Sequence, residues 1–82
     1  MTDDEFIDAF QACALRKEEW THAAHVRMAW ILLSRDADFD AALARIRTGI
    51  PRLNASFGTA PDKYHDTITV AYAALIRERI DR

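Results

Sequence analysis

Apolar residues recur at helical spacing along the whole chain. Phe6, Ile7, Phe10, Cys13 and Ala14 share one stripe, and Thr2 with Glu5 forms a capping-box pair ahead of them. Together these predict a first helix from about Asp3 to Arg16. The polar run Arg16-Lys17-Glu18-Glu19 then leads into Trp20-Thr21, where the threonine is an N-cap for a second helix reaching Ser34 or Arg35. From Ala23 to Leu33 only His25 and Arg27 are polar. A helix apolar nearly all round occupies either the centre of a bundle or a subunit interface.

Asp36 and Asp38 supply turn and cap chemistry, after which Phe39, Leu43, Ile46, Ile50, Leu53 and Phe57 recur in alternating steps of four and three. The phase passes unbroken through Gly49-Ile50-Pro51. Proline inside a helix removes one hydrogen bond and crowds the carbonyl four residues back. The pattern therefore predicts one long helix kinked between Arg47 and Pro51, with two short helices as the alternative. Gly58 is a natural helix stop and Thr59–Asp62 a loop. The last helix begins near Pro61 to Tyr64 and carries Ile68, Ala71, Tyr72, Leu75, Ile76 and Ile80. No strand alternation or internal repeat interrupts this series. Four helices on short connections predict an all-α, up-down-up-down four-helix bundle with a kinked third helix, a single domain over residues 1–82.

Size sharpens the picture. A chain of 82 residues holds one domain and buries only about 60% of the surface its unfolded form exposes, so it needs added support. Cys13 is the single cysteine, which excludes an internal disulfide and leaves a metal or a partner subunit. A net charge of −2 with no basic run argues against a nucleic-acid partner. The acidic opening Met1-Thr2-Asp3-Asp4-Glu5, the brevity of the longest apolar run (Met28 to Leu33) and the lone cysteine point to a soluble cytoplasmic protein with no membrane as partner.

The candidate chemistry lies in three histidines. His22 and His25 stand one turn apart at the start of the second helix, and His65 stands at the start of the fourth. In the expected topology the second and fourth helices run in the same direction, so all three imidazoles arrive at one end. Glu18, Glu19, Asp62 and Asp66 are near enough in the chain to complete or orient such a cluster. The leading expectation is a site for a divalent transition metal (zinc, iron or nickel) held by His22, His25 and His65, with Asp66 or Glu19 as fourth ligand or orienting acceptor, or a small ligand in the metal's place. Three protein ligands leave a coordination position open, which keeps enzyme and binding protein both in view. Two helix N-termini oppose a cation there and favour an anion.

The competing expectation is a metal-free interaction module that homodimerises through the second helix, with Trp30, Ile31 and Leu33 as anchors. Other residues have simpler readings. Trp20 is a hydrophobic staple on the second helix, and Tyr64 and Tyr72 are half-buried rim residues. Thr67 and Thr69 either donate hydrogen bonds that support the histidine site or bond back to helix carbonyls, Cys13 is a small core residue, and Arg45, Arg47 and Arg52 form a solvated face.

The strings Trp20-Thr21-His22-Ala23-Ala24-His25-Val26-Arg27-Met28-Ala29-Trp30 and Lys63-Tyr64-His65-Asp66-Thr67-Ile68-Thr69 resemble two blocks of a family of small bacterial helical proteins. The family pattern reads aromatic-Thr-His-x-x-His-hydrophobic-Arg-x-Ala-Trp, then Tyr-His-Glu-Thr-Ile-Thr. The resemblance covers about Phe6 to Arg79 and implies that the two histidine blocks belong together. It brings no reaction with it. Asp66 stands where the pattern has glutamate, which shortens the reach of a ligand there by one methylene. Members of that family continue past the fourth helix.

Overall fold

The computed structural model describes residues 1–82 and is all-helical, with four α-helices and no strand. Helix α1 spans Asp3–Gln11, α2 His22–Arg35, α3 Phe39–Ser56 and α4 Asp66–Ile80, with single 3₁₀ turns at Lys17–Glu19 and Pro61–Lys63. Three of the four α-helices start where their local chemistry directs. At α1 the Thr2 hydroxyl accepts from the Glu5 N–H while the Glu5 carboxylate accepts from the Thr2 N–H. At α2 the Thr21 hydroxyl accepts from the Ala24 N–H, and at α3 the Asp38 carboxylate accepts from the N–H groups of Asp40 and Ala41. These bonds satisfy amides that have no partner within the helix.

Helix α1 stops earlier than its apolar stripe predicts. Cys13 adopts a left-handed backbone with φ 55°. The Ala14 N–H then reaches the Ala9 carbonyl (2.8 Å) and the Cys13 N–H reaches that of Phe10 (3.2 Å), which is the paired closure of a Schellman motif. The chain turns there and delivers Leu15 to the core, where it is buried. Helix α3 closes in the same way at Gly58 (φ 77°), with Thr59 N–H bonded to Asn54 and Gly58 N–H to Ala55. Helix α3 runs unbroken past Pro51, so the single-helix reading holds. Helix α4 starts later than expected. Pro61–Lys63 forms its own 3₁₀ turn, and Tyr64 and His65 are extended before the helix begins at Asp66.

Helix α2 contacts all three other helices, and its contact with α4 is the most extensive; α1 lies against α2 and α3. Phe10, Met28, Leu33, Ile46 and Leu53 are the largest fully buried side chains. Close approach of α1 and α3 depends on Gly49, because the Phe10 ring occupies the space that a side chain would need there. Polar links pin the helices outside this core. Arg27 and Arg35 of α2 reach Asp3 and Asp4 of α1, Arg52 of α3 reaches the Gln11 carbonyl, and Arg77 of α4 reaches the Asp36 carbonyl just past α2. Arg47 of α3 makes a two-point bond to Asp66 at the first position of α4 (2.8 and 2.7 Å).

Burial corrects the expected dimer anchors on α2. Ile31 and Leu33 are 5% and 0% exposed, so they belong to the core and only Trp30 of the three faces outward. The reason is that α2 is enclosed on three sides by the other helices. No helix is long and apolar enough to cross a membrane.

Candidate functional site

The first two turns of α2 and the first three of α4 wall a groove floored by α3. Its volume is about 180 Å³, and most of its lining is apolar: Val26, Ala29, Ile46, Ile50, Ile68, Tyr72 and Ala73 among others. His22, His25 and Thr69 are its polar members. Thr69 bonds back to the His65 carbonyl through its hydroxyl (3.1 Å), as expected for a threonine in a first helical turn. His22 is exposed at the mouth, and His25 is half-buried in the wall.

His25 is held from both sides. Its ring stacks on Trp20, with centroids 3.8 Å apart and planes inclined by 28°. Trp20 precedes the cap residue Thr21, and His25 is the fourth residue of the helix, so the pair is a staple in which an imidazole replaces the usual aliphatic side chain. Trp20 is in turn fixed by Phe10, 5.5 Å away between centroids, and by a hydrogen bond from its Nε1 to Asn54 Oδ1 (3.3 Å). On its other edge, His25 Nδ1 lies 2.7 Å from the Thr21 carbonyl oxygen. A carbonyl only accepts, so Nδ1 carries the proton and Nε2 keeps its lone pair. Burial pushes the His25 pKa below 6.5; the bond to Thr21 opposes that shift and nearby His22 adds to it. The ring is therefore neutral at pH 7 and has one fixed tautomer.

The other residues expected at this site have different occupations. His65 occupies the N-cap position of α4 without a side-chain capping bond, is exposed, and is not part of the groove wall. Asp66 is committed to Arg47 and accepts a third bond from the Tyr64 hydroxyl (3.0 Å), and these partners hold its carboxyl below the usual carboxylate range. Glu19 closes the short turn before α2 by accepting from the Arg16 N–H (2.8 Å), and that bond lowers its pKa. No three histidine, cysteine or carboxylate side chains stand close enough together to hold a metal ion. Of the five expected ligands, His22 and His25 are the two that share a site, and what they share is an apolar groove.

Two features of the site have no sequence motif of their own. One is the Trp20–His25 stack, signalled only by an aromatic residue ahead of the cap and a ring four positions after it. The other is the apolar wall from α4, foreshadowed by the absence of any charge between Thr67 and Ile76. Comparison with family models, curated proteins and solved structures finds no match for this chain.

Proposed function

We propose that this protein is a helical binding module whose α2–α4 groove receives a small apolar ring bearing one N–H or O–H donor, with His25 Nε2 as the acceptor. The supporting observation is a neutral imidazole of fixed tautomer standing in a mostly apolar wall. Sites for small molecules combine such apolar linings with a few placed polar groups that set orientation. A groove of 180 Å³ is slightly larger than a cavity of roughly 150 Å³ known to admit benzene, so one aromatic ring fits it.

Indole and N-methylindole separate the two parts of this reading, because they share a ring and differ in the donor. Titration followed by amide NMR shifts is expected to show saturable indole binding centred on His25, Val26, Ile68 and Tyr72. N-methylindole should bind about three- to tenfold more weakly, the worth of one ordinary hydrogen bond. Equal binding of the two would remove the acceptor role of His25. Absence of saturable shifts with either would remove the groove as a binding site.

A further inference from the structure

Helix α4 carries no charged residue from Thr67 to Ile76, yet only Ala73 and Ile76 of that stretch are buried. A helix apolar round its circumference is normally covered. The open part is continuous with the groove. Ile68, Tyr72 and Leu75 follow one another along α4 at steps of four and three, and Val26 and Trp30 lie one turn apart on α2, with Val26, Ile68 and Tyr72 sharing the groove wall. These five side chains are 38–55% exposed. At roughly 150–250 Å² per large side chain they present on the order of 450 Å² of apolar surface. That is more than half of the roughly 800 Å² each partner contributes to a standard interface.

The face also carries a knob beside its own hole. Trp30 is 43% exposed and stands one turn, about 6 Å, beyond Val26 along α2. A twofold axis lying in the plane of the contact, perpendicular to α2 and midway between these two residues, sets the Trp30 ring of each copy opposite Val26 in the groove wall of the other. Reciprocity of this kind is what an isologous contact requires, since one surface must be its own complement. The chemistry matches as well as the shape. Indole Nε1–H is a donor only, and His25 Nε2 is the acceptor in the wall. Tryptophan seated in a pocket at the centre of a contact is also the commonest kind of interface anchor.

We infer that the occupant of the groove is Trp30 of a second copy of this chain, in a symmetric dimer formed by the α2–α4 faces. This rests on the groove reading above and names its partner. Each groove is completed by the other copy, and free indole competes with the pairing.

Sedimentation equilibrium of the wild-type protein, Trp30→Ala and Tyr72→Arg tests it, with helical circular dichroism as the check on folding. Both side chains are about half exposed, so both variants keep the fold. The wild type is expected to dimerise in the micromolar range, and each variant to raise the dissociation constant at least about thirtyfold. Added indole should dissociate the wild-type dimer, and monomeric Trp30→Ala should bind indole more tightly than the wild type does. A wild type that stays monomeric at high micromolar concentration while binding indole would overturn the pairing and leave the groove reading intact, with another chain or a lipid surface as the cover of this face. A dimer that persists unchanged in Trp30→Ala or in Tyr72→Arg would also overturn it. If no variant or wild type binds indole, the groove reading fails and this inference fails with it.

Discussion

Replacing Gly49 by alanine sets two ordinary effects against each other, and the structure decides between them. Alanine is the better helix former by about 1 kcal/mol in a helix interior, so propensity alone predicts a more stable protein. A Cβ at position 49, however, would lie 2.5 Å from Cε2 of Phe10 and closer still to its Cζ. Carbon atoms pack at about 3.5–4.0 Å, so the ring or the helix must move by roughly 1 Å. Phe10 is 1% exposed and packs against Trp20, so its ring has little room to yield. Overpacking of this kind costs about 1–3 kcal/mol, and more where the neighbour is an aromatic ring rather than a flexible chain end. The expected balance is a net loss of about 1–2 kcal/mol, or a fall of roughly 4–15 °C in Tm for a domain this size.

Thermal unfolding followed by circular dichroism at the helical band measures that loss directly. A double-mutant cycle then assigns it, because Phe10→Leu removes the ring atoms involved. In that background Gly49→Ala should turn neutral or stabilising, giving a coupling of at least about 1 kcal/mol. A Gly49→Ala protein as stable as the wild type, or a penalty that survives unchanged in Phe10→Leu, would refute the close-approach argument.

Asp38→Ala removes the cap of α3 and should cost about 1 kcal/mol, with Asp38→Asn nearly neutral; chemical denaturation of the pair checks this. Cys13 occupies a left-handed position that costs a non-glycine residue roughly 1–2 kcal/mol. Cys13→Gly should therefore offset most of its lost packing, whereas Cys13→Val, though more apolar, should be the less stable of the two in urea unfolding. His25 has a folded pKa below 6.5, so the unfolded chain takes up the proton first as the pH falls. Stability from this group is present above about pH 6.5 and is lost below it as the pH approaches the folded value. Wild-type Tm measured from neutral to mildly acidic pH should carry this slope, and His25→Phe, which keeps a ring against Trp20, should lack it.

Most of the fold could be read from the chain because its signals are local. The Thr2–Glu5 pair, the Thr21 and Asp38 caps and the Gly58 stop each act within five residues, and each appears where the pattern places it. The unbroken phase through Pro51 likewise marked one helix. The errors fall where a backbone conformation has no dedicated residue type. Cys13 ends α1 in a geometry usually taken by glycine, so the apolar stripe read straight through it. Tyr64 and His65 are extended, and Asp66 just after them is clamped by Arg47, a residue nineteen positions away; no local spacing reports such a contact.

The site was half legible for the same reason. Helical spacing alone put His22 and His25 on one surface, and the structure keeps them together in the groove. What spacing cannot supply is the prior engagement of the other candidates. A carboxylate already accepting three bonds, as Asp66 does, or one closing its own turn, as Glu19 does, must lose those bonds before it can serve a ligand. The single carbonyl bond at His25 has the opposite effect, since it spends one ring nitrogen and thereby orients the other. Counting bonds already made therefore separates these residues better than counting residue types, and it leaves His25 in the groove wall with an oriented, unspent acceptor. Protonation removes that acceptor, so any ring held through Nε2 should leave as the pH falls through the His25 pKa, whereas a ring held by the apolar walls alone should stay.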